Sequence, residues 1–241
     1  MVKVYRVFTV GFHQVLRDGM LLLLIPAPFF MGAALFALLP LVGVFLNQQY
    51  GLSTTLWYPL SDALLASMAP VMTALICAFV ILDERDEGTG LYYRITPSGR
   101  HSYLLARIGL PMLWAYLSTV LVLIFFTHSM DRLPVILLAG LVGVLQGIVS
   151  CMLLVALANN KVEGLALAKL TNLLVLGFLF PWFISSPFRY LFGFMPSFWI
   201  GQLIYLSGQP FVSLLTQGIM GIVSALVWIR FLYGVFLRRL Y

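Results

Sequence analysis

LDERDEGTGLYYRITPSGRHSYLLAR, residues 82–107, decides how this chain is read. It carries four of the eight acidic residues (Asp83, Glu84, Asp86, Glu87) and four of the fourteen Lys/Arg (Arg85, Arg94, Arg100, Arg107). Strongly apolar runs flank it on both sides. Hydrocarbon rejects so much unpaired charge, so the stretch must lie in water or against a partner. The apolar runs beside it must then be membrane spans.

Composition agrees. Of 241 residues, 62% are hydrophobic and 9% charged, with mean hydropathy +1.03. A soluble domain carries about 25% charged residues. The chain therefore reads as an all-α membrane protein, a single transmembrane domain over residues 1–241. Cys77 and Cys151 both fall inside apolar spans and read as small buried residues rather than a disulfide framework. No cleavable signal peptide is evident, because the apolar run that begins near Met20 is far longer than a signal core. The net charge of +6 does not point to nucleic acid. The basic residues stand at the ends of the apolar runs, where membrane topology puts them.

About 20 apolar residues cross the hydrocarbon. Six segments qualify: 20–46, 63–82, 108–127, 133–158, 165–186 and 211–237. Pro26, Pro28 and Pro40 predict kinks in the first and Pro70 a bend in the second. With both termini on one face, that face receives twelve Lys/Arg and the other only Arg132 and Arg189. The positive-inside rule then makes both termini cytoplasmic, in a cell membrane, together with the loops 83–107 and 159–164. Residues 1–19, MVKVYRVFTVGFHQVLRDG, place Tyr5, Phe8, Phe12, Val15 and Leu16 on one stripe at helical spacing. This predicts an amphipathic interface helix. The last external loop, PFRYLFGFMPSFWIGQLIYLSGQP (187–210), is too aromatic for a solvated linker. Short re-entrant-like helices before the sixth span are expected there, with aromatics at the interface.

Several chemistries are excluded. None of the three Lys follows a Gly, so no phosphate-binding P-loop exists and the chain is no ATPase by itself. His13, His101 and His128 lie in separate segments, and no HExxH, CxxC or G-x-S-x-G occurs. Neither a metal nor a catalytic site is expected. His128 beside Asp131 reads as a solvated cap at an outer helix end. Asp62, at the outer end of the second span, can reach an interface. The polar residues Thr73, Gln146, Ser150, Thr171 and Asn172 are expected to bond between helices. Gly140, Gly143 and Gly147 form a small-residue ridge for close helix packing, within one subunit or as a dimer seam.

Two charged segments carry a resemblance. Glu84-Arg85-Asp86-Glu87-Gly88-Thr89, Thr96-Pro97-Ser98 and Tyr103-Leu104-Leu105-Ala106-Arg107 together resemble the signature of ABC-2 type permeases, the membrane subunits of one class of ABC transporters. Asn160-Lys161-Val162-Glu163-Gly164-Leu165-Ala166 resembles that family's short cytoplasmic segment before the fifth span. Gly90 and Tyr92-Tyr93 stand where the family usually has acidic and aliphatic helix formers. The resemblance covers essentially the whole chain. It implies an ATP-driven exporter subunit that works with a separate ATPase subunit and a second permease subunit, identical or not. ATP and Mg would sit on the ATPase, with no cofactor here. A short coupling helix, Thr89–Ile95, would end at Pro97. Leu91, Tyr92 and Ile95 would enter the ATPase, with Glu84, Glu87, Gly88 and Arg94 at the rim and Lys161 and Glu163 as a second contact. The cargo is expected to be hydrophobic or amphipathic: a drug, antimicrobial peptide or lipid-like molecule. Phe29, Phe30, Phe36, Met68, Met72 and Phe180 are candidates for lining its path, with core packing the alternative for each. A self-contained secondary transporter or channel, and a non-transporting membrane assembly subunit, are the other readings of the same spans.

Overall fold

The computed structural model describes residues 2–88, 103–184 and 186–239. The expected coupling helix, with Thr89, Leu91, Tyr92, Arg94, Ile95 and Pro97, lies outside them. Among the described residues every regular element is helical, and six helices are long and apolar enough to cross a membrane.

Helix α1 (Val2–Arg17) leads through Asp18 into α2 (Gly19–Leu24). The expected first span is not continuous. Pro26 has no N–H to offer Leu22, so the ladder breaks after α2. The chain restarts as α3 (Ala27–Tyr50), with Pro28 in its first turn, where a missing donor costs nothing. Helix α4 (Trp57–Asp86) has 30 residues. At 1.5 Å per residue it is about 45 Å long, more than hydrocarbon requires. It therefore includes Asp83, Glu84 and Asp86 in its last turns. Gly88, at φ +67, ends it in the left-handed conformation that glycine tolerates.

A π turn (Leu105–Gly109) opens into α5 (Leu110–Phe126). Pro111 cannot donate to the Arg107 carbonyl, so the helix is loosened at that point. Then come α6 (Leu133–Leu157) and α7 (Lys161–Val175), which continues through a 3-10 turn (Leu176–Leu179) into α8 (Phe180–Phe183). A second 3-10 turn (Phe188–Phe194), α9 (Pro196–Tyr205) and α10 (Phe211–Arg239) complete the chain.

Helices α4 and α6 form the centre. A Cβ added at Gly143 would stand 2.5 Å from the Ala66 carbonyl oxygen, and one at Gly147 would stand 3.0 Å from that of Pro70. Pro70 is the reason for this geometry. It leaves the Ala66 carbonyl without its helical donor, and only a glycine lets the neighbouring backbone close over it. The ridge therefore packs within this chain and is not a seam between copies. By contrast, α3 and α10 turn apolar side chains outward, among them Phe30 and Val227.

The 187–210 segment runs back along its own span. Ser197 Oγ donates to the Leu174 carbonyl at 2.5 Å, and Trp182 and Tyr205 meet edge to face. The irregular backbone at the turn is satisfied by indoles: Trp199 Nε1 donates to Gly193 O and Trp228 Nε1 to Phe194 O, each at 2.7 Å. Non-helical backbone is tolerated at such depth only when buried in protein. Phe198 and Trp199 are accordingly core residues, not the interfacial aromatics expected.

Asp62 differs from its expectation as well. Because α4 begins five residues before it, Asp62 lies inside the bundle and is fully buried. Its carboxylate accepts from Thr127 Oγ1 (2.7 Å), His128 N (3.1 Å), Ser129 N (2.9 Å) and Ser129 Oγ (2.5 Å). One acid thereby gathers the donors of the α5–α6 turn. His128 is no solvated cap: its ring lies 4.9 Å from those of both Phe36 and Tyr58, and its nitrogens are buried without hydrogen bonds. Thr171 bonds back to Leu167 O of its own helix rather than across helices.

Candidate functional site

At the end of the bundle where α4 stops and α7 starts, the two charged segments of the sequence meet. Asn160 caps α7, accepting from Glu163 N at 2.8 Å, while Glu163 Oε2 accepts from Asn159 N at 2.8 Å. The spacing of these acceptors is that of a capping box, which fixes where α7 begins. Lys161 is thereby aimed at two acids: its Nζ donates to Asp18 Oδ2 at 2.8 Å and Asp83 Oδ2 at 2.9 Å. Its own backbone N–H donates to Asp86 Oδ2 at 2.9 Å. Arg85 reaches the last carbonyls of α6, Ala158 O at 2.6 Å and Val155 O at 3.2 Å, where a cation suits the helix dipole. Three residues of one run, Asp83, Arg85 and Asp86, thus tie α4 to α6 and α7, and Lys161 extends the tie to the α1–α2 junction.

Below this layer lies a buried ion pair. Glu84 and Arg107 are 1% and 3% exposed. Arg107 Nη2 donates to Glu84 Oε1, Arg107 Nε to Oε2 at 3.2 Å, and Tyr103 OH to Oε2 at 2.6 Å. Glu84 precedes the stretch 89–102 and Tyr103 and Arg107 follow it, so the pair joins the two helical segments that flank it in sequence. Glu84 was expected at the rim facing a partner; it is placed beneath the surface. Asp86, Glu87 and Val162 are exposed there, Gly88 is half-buried, and Lys161 and Glu163 are engaged within the chain.

Asp18 was missed in the sequence, although an Asp before an apolar run is a usual N-cap signal. It accepts from Met20 N at 2.9 Å and Leu21 N at 3.3 Å. The Lys161 hydrogen bond holds its carboxyl below the ordinary value, against a smaller upward push from burial. The sign follows: this contribution is present above the unfolded value, about 3.9, and is lost as pH falls through the lower folded one. At neutral pH, Lys161→Met should cost on the order of 1 kcal/mol, because the pairs are part-exposed. Hydrogen exchange on a peptide covering residues 2–18 should accelerate, and unchanged exchange would mean that Lys161 does not anchor α1.

The candidate path residues lie in different surroundings. Phe29, Met68 and Phe180 pack against the main core, Phe180 lying 3.8 Å from Phe192 ring to ring. Phe36 leans on His128, Phe30 faces outward and Met72 is half-buried.

Comparison with known proteins follows the same outline. A family model described as fluoroquinolones export permease protein Rv2686c-like matches residues 11–233. Two proteins of Mycobacterium tuberculosis are similar: fluoroquinolones export permease protein MT2760 (strain CDC 1551 / Oshkosh) and fluoroquinolones export permease protein Rv2686c (strain ATCC 25618 / H37Rv). Each is 30% identical over 199 residues, 80% of this chain and 78% of the relative.

Proposed function

The chain belongs to the Rv2686c-like family of fluoroquinolones export permease proteins, and from that membership we propose that it is the membrane subunit of an ATP-driven, ABC-2 type drug exporter. ATP and Mg bind a separate ATPase subunit. Two permease subunits, identical or paired with a second kind, form the path in the cell membrane, with both termini cytoplasmic. The cargo is an amphipathic, largely apolar drug of the kind named for the relatives.

One observation carries this reading: the acidic end of α4 and the start of α7 meet in a single clamp, and Asp86, Glu87 and Val162 remain outward around it. A docking protein pressing there pushes on α4, α6 and α7 together. The rigid 30-residue α4 carries the push to the opposite end, where Asp62 holds the α5–α6 turn. In this mechanism Leu91, Tyr92 and Ile95 enter the ATPase groove, while Glu87 and Arg94 set the register by charge.

The test is reconstitution with candidate P-loop ATPase subunits from the same organism, sought first in the reading frames that neighbour this one. ATP turnover should depend on this chain and rise with drug. Glu87→Lys together with Arg94→Glu should abolish the dependence while membrane insertion stays intact. Normal coupled transport by that double variant, or transport by this chain alone on an ion gradient, would overturn the reading. So would a label near Glu87 that reacts from outside the cell.

A further inference from the structure

Between α1, α4 and α5 lies a cavity of about 330 Å³ that none of the candidate path residues borders. We propose that it holds the uncharged apolar part, a ring system or a single chain, of an amphipathic molecule that enters sideways from the bilayer.

Its walls explain its existence. The Arg107 guanidinium sits against Gly11, where a Cβ would collide with Nη1, so α1 rests on the ion pair and cannot settle lower. On the other side Pro111 and the π turn displace the start of α5. The gap left between these supports is lined by Val15, Ile25, Ile76 and Val80. The polar groups among the lining side chains are the Thr73 hydroxyl, the Cys77 thiol, the Arg107 guanidinium and the Trp114 indole N–H.

The occupant's chemistry follows from charge and size. Arg107 is already matched by Glu84, so a buried carboxylate or ammonium would enter without a counter-charge. Walls so largely apolar favour an apolar guest, because burying its surface there removes it from water. Its volume lies at the small end of ligand sites, roughly 300–1,000 Å³, which admits a ring system or one chain but no whole phospholipid. The entrance is aromatic. Phe12 and Trp114 are 46% and 48% exposed, whereas Cys77 and Ala106 in the interior are at most 3% exposed. Phe8 and Phe12 stack with centroids 6.2 Å apart, which gives a flat apolar lip. The guest's polar end stays outside, at the level of the charged residues flanking the helices.

Arg107 belongs to both the cavity wall and the pair that joins the helical segments flanking 89–102. Occupancy therefore loads the same residue that a docking ATPase would. That consequence rests on the export reading; binding does not, and it is tested without the ATPase.

The experiment uses the purified full chain in lipid nanodiscs with two photoreactive probes, a phospholipid bearing a diazirine in one acyl chain and an aryl-azide fluoroquinolone. Mass spectrometry locates the label. Label should fall on peptides covering 73–80 or 106–114. It should drop about tenfold or more in Thr73→Phe and in Val15→Phe, which fill the space from opposite walls. Capture of the lipid probe alone identifies the guest as a membrane lipid, and capture of the drug probe identifies a drug site. Label elsewhere, or label unchanged in a monodisperse filled variant, would overturn the proposal. Should both variants misfold, excess unlabelled amphiphile must still displace the label from the wild-type chain. Failure to displace it overturns the proposal equally.

Discussion

Arg107→Ala is expected to lower the unfolding free energy by about 3–5 kcal/mol, the cost of leaving one member of a buried pair alone. The partner left behind is Glu84, which is 1% exposed. Tyr103 OH still donates to it at 2.6 Å, but a hydroxyl does not neutralise a charge. Glu84→Gln should cost less, because a neutral amide keeps an oxygen for Tyr103 and Arg107 retains a polar neighbour. The informative variant is the double change Glu84→Leu with Arg107→Met. Apolar replacement of both members removes the desolvation cost as well as the attraction, so it should be less harmful than Arg107→Ala. Thermal unfolding in detergent reads all three. A double variant worse than the single would show that the pair is worth more than its desolvation penalty. The same variants separate folding from coupling. On the export reading, the double change unties the two helical segments that flank 89–102, so ATPase dependence should fall even where stability recovers.

Gly143→Ala should cost about 1–3 kcal/mol and Gly143→Leu more, although both are better helix formers than glycine. The main obstacle is backbone: the new Cβ would lie 2.5 Å from Ala66 O, with the Cγ of the Pro70 ring at 3.3 Å beside it. The substituted α6 must move off α4, and every helix leaning on that pair moves with it. Helices inside lipid gain little from burial as such, so lost contact is not repaid elsewhere. Gly19→Ala is the control, since nothing lies within 4 Å of its added Cβ. It should leave the melting temperature unchanged or slightly higher. Equal melting temperatures for Gly143→Leu and Gly19→Ala would remove the close α4–α6 contact.

The spans were legible in the sequence because the bilayer sets their length and charge marks their ends. The start of α7 was not: residues 159–164 read as a loop and the span as beginning at 165, whereas Asn160 caps a helix that begins at Lys161. Three further features escaped. Hydropathy cannot register one absent N–H at Pro26, so the first span looked continuous. Asp62 looked interfacial because its five buried hydrogen bonds come from residues 127–129, far away in sequence. Glu84 looked like a rim residue because its charge is visible in the chain and its partner Arg107 is recognised only when the two helices meet.

The amino-acid order alone determined that this chain leaves water, how many times it crosses, and where its charges gather. Tertiary packing decided which apolar surfaces are covered within the chain and which face outward, as Phe198 and Phe30 illustrate with 0% and 72% exposure. Both side chains are apolar, so hydrophobicity cannot distinguish them. Only the shape of the neighbouring helix can, through a glycine that admits a carbonyl or an arginine that holds a helix off and leaves a cavity.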